Sequence, residues 1–258
     1  MSGAFYPLVL ASQVAVVTVL ILAGYWTGHF LGGFAWDGSA QEFNLHPLLM
    51  ILGLVFFYGD AILMYRIFRK ENKTVVKIIH VLMQSFALIC GGIALKAVFR
   101  FHNNAGIPNM YTLHSWIGLP TYIMFGLQYI GGFVSFLFPK LSERGRATML
   151  PFHKYFGVAL LGMVCATAIS GINNKLFFAL PNTSDTPYNS LPAQAHVGNF
   201  LGIAIIVYCL IVGFLVTFDE FKREEVINPE KLPLAQAEMK QFKTMDPTDT
   251  TGDQEEVK

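Results

Sequence analysis

The residues with the most chemistry in them are histidines at the starts of apolar runs. His114 stands in Tyr111-Thr112-Leu113-His114-Ser115-Trp116-Ile117-Gly118, where the polar segment 103–109 gives way to a long apolar stretch. Gly118 lies four residues on, one turn away on the same helical face. A helix that holds a flat, bulky ring against its histidine needs a small residue there. The arrangement recurs in Phe152-His153-Lys154-Tyr155-Phe156-Gly157. Taken alone, two H-x-x-x-G helix starts read equally as axial ligands of haem and as interfacial histidines beside packing glycines.

The elements that carry them follow from composition. The chain has 258 residues, 53% of them hydrophobic, a mean hydropathy of +0.48 and only 14% charged residues. Such a balance belongs to a membrane protein. A bilayer span needs about 20 apolar residues, and six runs qualify: 5–26, 45–65, 75–99, 113–138, 152–180 and 197–218. The predicted fold is all-α, one six-helix membrane domain over 1–221. A polar tail, 222–258, has too little apolar content to pack and is expected to be disordered. No basic residue precedes the first run, and it is too long for a signal-peptide core, so it is expected to be retained. Cys90, Cys165 and Cys209 all fall inside apolar runs and read as small buried hydrophobes.

Lys and Arg give an orientation. Five (Arg66, Arg69, Lys70, Lys73, Lys77) sit between runs two and three, four (Lys140, Arg144, Arg146, Lys154) between runs four and five, and six from Lys222 onward. Only Lys96, Arg100 and Lys175 fall on the other side. The basic side is therefore expected to be cytoplasmic, with both termini. A net charge of +1 argues against nucleic acid as a partner.

Along the chain, His29 reads as a loop histidine. Asn44-Leu45-His46-Pro47 opens run two, with proline tolerated in the first turn; Gly53 lies two turns on. Asp60 is an acid inside a span, a functional candidate by default, with local pairing to Arg66 or protonation as the plainer reading. Lys73, Lys77 and His80 share one helical face, and Arg146 repeats before His153 the spacing of Lys73 before His80. These cations fit either a positive-inside anchor or an anion site. Asn182-Thr183-Ser184 is a candidate glycosylation acceptor. His196 opens run six without a glycine in phase.

Topology pairs four of the histidines. His46 and His114 start runs two and four at the outer face; His80 and His153 start runs three and five at the cytoplasmic face. Spans 2–5 then form a four-helix core with two separated histidine pairs, the way bundles build cofactor sites from facing side chains. Bis-histidine iron leaves no open position and suits electron transfer. Zinc would want four ligands together, and each cluster supplies two. Four placed histidines favour two haems. The competing readings are a haem-free transporter or channel with intramembrane histidines and a quinol-linked cytochrome subunit needing a redox partner.

The chain resembles the eukaryotic cytochrome b561 family, in its animal branch, over about residues 30–220. The resemblance rests on Trp36-Asp37-Gly38-Ser39, Phe43-Asn44-Leu45-His46-Pro47, Tyr65-Arg66, Ala97-Val98-Phe99, His102-Asn103, Tyr111 to Trp116 and Ser170-Gly171. The segments Gln236-Ala237-Glu238 and Phe242-Lys243-Thr244 are similar to the secretory-granule member. It implies two haems b and ascorbate-driven electron transfer across a membrane. It also implies an outer acceptor, either the monodehydroascorbate radical or ferric iron, and a homodimer in the lipid of a secretory-vesicle, endolysosomal or plasma membrane. By the same resemblance Lys73, Lys77 and Arg146 match the cytoplasmic ascorbate site, and Arg66 and Lys222 match residues near the inner haem propionates. Asn109, Met110, Tyr111 and Thr112 match the segment over the outer haem. His102 matches a histidine of the outer substrate site, where substrate iron would bind. Many relatives carry a glutamate at the position of Asn174, which the resemblance places by the outer haem, and an acid at that of Gln194. Losing both weakens a hard-cation site and shifts the expected acceptor toward an organic radical.

Overall fold

The computed structural model describes residues 3–222; the expected tail, apart from Lys222, lies outside them. Six helical spans are long and apolar enough to cross a membrane, and this is a multi-pass membrane protein. Span one is α1 (Phe5–Tyr25), continued by a π-helical turn, Trp26–Phe30. Span two joins α2 (Ala40–Phe43), α3 (Leu45–Met50), a second π-helical stretch (Ile51–Phe57) and α4 (Tyr58–Ile67). Spans three to six are α5 (Lys73–Ala105), α6 (Leu113–Phe136), α7 (Glu143–Ala179) and α8 (Ala193–Thr217). Leu10, Val17, Leu82, Ile89, Leu127 and Leu210 point outward, where hydrocarbon rather than water would solvate them, while the helical backbone satisfies its own polar groups.

Helix ends are set by identifiable residues. Asn72 starts α5 by accepting the Thr74 N–H at 2.8 Å, and Gly106, at φ 67°, stops it in the left-handed conformation. The helix therefore runs past the expected 75–99, with Lys73 in its first turn and His102 in its last. Thr112 caps α6 and Ser142 caps α7. Helix α7 passes through Pro151 and begins nine residues before the expected 152, so Arg146 and His153 belong to one helix.

Packing arranges these helices as hairpins. Span two lies along α5, and α6 lies along α7; α1 and α8 pack together, α8 also against α7 and α4, and α1 against span two. The span-two/α5 hairpin faces the α6/α7 hairpin with few direct contacts, which leaves room between them. All four paired histidines point into that gap.

Asp60 is buried, and its Oδ1 accepts from Tyr208 Oη at 2.9 Å and Gln13 Nε2 at 3.1 Å. Its partners come from α8 and α1, not from Arg66. The Arg66 guanidinium donates to the carbonyls of Val216 and Phe218 at the end of α8.

Candidate functional site

His46 and His114 face each other with ring centres 6.0 Å apart, and His80 and His153 do so at 6.3 Å. A metal–imidazole bond is about 2 Å, so two imidazoles sharing one iron have ring centres roughly 6 Å apart. Each pair joins one residue of the span-two/α5 hairpin to one of the α6/α7 hairpin. Three of the four rings are locked by backbone carbonyls. His46 Nδ1 lies 3.3 Å from Ala94 O, His80 Nδ1 2.7 Å from Ala61 O, and His114 Nδ1 2.9 Å from Thr167 O. With Nδ1–H donated, Nε2 keeps its lone pair for a metal, and the ring is oriented. The Thr167 carbonyl also accepts from Ser170 Oγ at 2.9 Å.

The glycines that admit these rings differ from those the H-x-x-x-G spacing points to. A Cβ at Gly171 would lie 2.7 Å from His114 Cε1, and one at Gly132 would lie 2.8 Å from His153 Cε1. Each sits on the partner helix of its hairpin. Gly118 faces Thr167 instead, and Gly157 has only Gln128 Nε2 nearby, at 3.9 Å. Gly53 admits the α5 backbone, since a Cβ there would lie 3.0 Å from Ala87 O.

At the His46–His114 end a cavity of about 510 Å³ opens between the hairpins, within the usual size for a cofactor or ligand site. His46, His114, His102, Asn109, Met110, Tyr111, Thr112, Asn174 and Lys175 are among its lining residues. The 109–112 segment is part of this lining, where Met110 (φ 59°) accepts from Trp116 Nε1 at 2.8 Å and Asn109 Nδ2 donates to Asn103 Oδ1 at 2.7 Å. His102 stands 6.5 Å from the Tyr111 ring. Gln194, at the start of α8, is not in this wall; its buried Nε2 has no hydrogen-bond partner among the described residues. Asn174 and Gln194 thus do not share the cavity wall. Next to Phe43 of this wall, Glu42 is fully buried, accepting from Gly38 N and 3.5 Å from Arg100 Nη1.

The other end is cationic. Lys77 Nζ donates to Phe136 O at 2.9 Å, and the charges of Lys140, Lys73 and Arg146 act on it. The Phe136 ring meets His153 at 5.3 Å, so Lys77 is one residue removed from the His80–His153 pair. Arg146 Nη1 donates to Leu141 O at 2.5 Å. Lys140 joins this cluster although the sequence marks it only as a loop cation; its distance along the chain from Lys77 hides the contact. Lys222 pairs with Asp219 at 2.6 Å, which holds that exposed carboxyl below its ordinary range. His29 stacks on Tyr25 and His196 on Phe200, away from both pairs.

The family model for eukaryotic cytochrome b561 matches residues 45–179, the stretch that holds all four paired histidines. The chain belongs to the eukaryotic cytochrome b561 family. Among its relatives is the lysosomal membrane ascorbate-dependent ferrireductase of Homo sapiens, 39% identical over 226 residues, 87% of this chain and 93% of that protein. The transmembrane ascorbate-dependent reductase of Ovis aries is 36% identical over 252 residues, covering 98% of this chain and 96% of its own. The plasma membrane ascorbate-dependent reductase of Rattus norvegicus is 39% identical over 234 residues, 90% of this chain and 79% of that one. Membership of the cytochrome b561 family implies b-type haem. The residues present fit such a group: facing imidazoles at iron-sharing distance, Nδ1 engaged in three of the four, and glycines where a side chain would strike the ring. Among the described residues no three of His, Cys, Asp and Glu gather into a metal site.

Proposed function

We propose that this cytochrome b561 carries electrons across the membrane from cytoplasmic ascorbate to an acceptor on the far side, through two haems b. His46 and His114 would hold one haem, and His80 and His153 the other. The observation that carries this is the two facing histidine pairs, one toward each end of the hairpins, with backbone carbonyls turning three of the rings. Bound haem supplies a one-electron Fe(III)/Fe(II) couple at each level of the membrane. In the net reaction ascorbate loses one electron and a proton to become monodehydroascorbate. Opposite, one electron reduces Fe(III) to Fe(II), or a monodehydroascorbate radical with a proton to ascorbate.

The protein's own residues divide the work. Lys77, Lys73, Arg146 and Lys140 attract the ascorbate anion to the basic end, which the distribution of Lys and Arg assigns to the cytoplasm along with both termini. Arg66, tied to the end of α8, and Lys222 stand at the same end for the inner haem's propionates. Asn109, Met110, Tyr111 and Thr112 cover the outer cavity, and His102 stands beside them for the acceptor. Relatives carry the names of lysosomal and plasma-membrane reductases, one of them a ferrireductase, and ferric iron is accordingly an acceptor here. The exposed apolar helix faces would meet lipid or a second copy of the chain.

The test is a visible spectrum of purified protein with haem counted per chain. Two b-type haems reducible by ascorbate are expected, with His46→Ala or His114→Ala leaving one. A colourless protein, or loss in these variants of the haem that ascorbate reduces first, would overturn the assignment.

A further inference from the structure

The outer cavity has an unusual charge balance. Its wall contains one ammonium, Lys175, and no carboxylate. The lysine is half-buried near the end of α7. Its Nζ lies 4.4 Å from the centre of the Phe43 ring, and no carboxylate stands within ion-pair distance among the described residues. Glu42, next in sequence to Phe43, does not serve it, because it is held by Gly38 and Arg100. A cation–π contact offsets only part of the cost of drawing an ammonium from water. A long, flexible lysine at a helix end would ordinarily turn its charge to solvent. The Phe43 ring, beneath that ammonium, also touches His46 at 6.1 Å and Phe101 at 5.4 Å, and Phe101 touches His102 at 5.8 Å. Lys175 thus stands above the His46–His114 pair, on the same aromatic floor as His102.

We propose that Lys175 is an anion-binding residue of the outer cavity that holds a carboxylate-type anion against its wall. This rests on the proposed function and adds the charge class of what enters the site. Two sources share that chemistry: a propionate of the outer haem, or an anionic electron acceptor such as a ferric hydroxycarboxylate or the ascorbyl radical. An ammonium in a poorly hydrated, apolar wall attracts an anion far more strongly than one in water, and it repels an aquated trivalent cation equally. Iron would reach this site as an anionic chelate.

The experiment uses full-length protein in ascorbate-loaded vesicles, wild type against Lys175→Gln and Lys175→Arg. Two one-electron acceptors of opposite charge are supplied outside, ferricyanide and hexaammineruthenium(III), and the outer haem's midpoint potential is measured by spectroscopic titration. If the anion is an acceptor, Lys175→Gln raises KM for ferricyanide severalfold and not that for the ruthenium complex, Lys175→Arg restores it, and salt weakens the wild-type preference. If it is a propionate, Lys175→Gln lowers the outer potential, because losing a positive charge favours the ferric state, and both acceptors change together. An unchanged KM ratio and an unchanged potential in Lys175→Gln would overturn the proposal. Should the Gln variant lose haem, Lys175→Arg is expected to keep it; loss of haem in Lys175→Arg as well, with a wild-type preference for ferricyanide that is indifferent to salt, overturns the proposal equally. Wild-type vesicles that bind no haem or ignore ascorbate would instead sink the proposed function itself.

Discussion

Gly171 of α7 lies so close to His114 of α6 that a Cβ there would stand 2.7 Å from the imidazole Cε1. Gly132 of α6 stands to His153 of α7 in the same way, at 2.8 Å. In both cases the ring is also the one that faces a histidine of the other hairpin. Neither contact can be relieved at the glycine side, because both glycines lie inside long helices; the histidine has to move.

Gly171→Ala should therefore disturb the His46–His114 site alone, and Gly132→Ala the His80–His153 site alone. The expected result is loss or broadening of one b-type component in the reduced low-temperature spectrum, with about half the haem per chain. Gly157→Ala, whose Cβ would meet only Gln128 Nε2 at an ordinary 3.9 Å, should keep both components. An intact wild-type spectrum in Gly171→Ala would show that the ring tolerates displacement and that the glycine has another role.

Much of this architecture is legible in the sequence. Hydrophobic run length alone gives six spans, and alternation of their direction pairs His46 with His114 and His80 with His153. The spacing argument for the glycines fails because it looks along one helix. The residue that gives way to a ring held between helices belongs to the neighbour, and Gly171 is 57 residues from His114. Asp60 fails similarly: its partners, Gln13 and Tyr208, are distant along the chain, while Arg66, the near one, is used elsewhere. The long extent of α7 is hidden by Pro151, which normally argues for a helix start. Signals confined to one segment, such as the length of an apolar run, are readable; signals that cross helices are not.

The cationic end should control donor use. Lys77→Ala or Arg146→Ala removes one charge from a cluster that also contains Lys73 and Lys140, and a charge-assisted contact is worth about 1.5–3 kcal/mol. With the others left to compensate, KM for ascorbate should rise on the order of tenfold. Lys140→Ala should give a smaller rise in the same direction, and added salt should mimic all three. Stopped-flow reduction by ascorbate reads this directly; unchanged kinetics in all three variants would leave these cations as membrane anchors.

Asp60 ties spans one, two and six together through a single carboxyl oxygen. Tyr208→Phe removes one of its two donors and leaves a buried acceptor short of a partner, at a cost of about 1–3 kcal/mol. Thermal unfolding in detergent should shift downward, with haem spectrum and ascorbate kinetics unaltered. Asp60→Asn keeps an acceptor for Tyr208 and should cost less than Asp60→Ala. An altered haem potential in Tyr208→Phe, at unchanged stability, would mean that this cluster serves the redox centre rather than the packing.

The acceptor side offers the sharpest contrast between two positions that the sequence treats alike. Asn174 lines the outer cavity, and Gln194 does not. Asn174→Glu would put a carboxylate in the same wall as Lys175, although neighbouring residues on a helix do not face each other. It would offset the lysine's field and offer a hard oxygen ligand to Fe(III). The expected outcome is a severalfold lower KM for a cationic acceptor and a higher one for an anionic ferric chelate, measured in ascorbate-loaded vesicles. Gln194→Glu should leave both unchanged and lower thermal stability, because it charges a buried group with no partner. If Gln194→Glu alters acceptor kinetics as strongly as Asn174→Glu, the acceptor docks across the start of α8, and the cavity mouth is not its only contact.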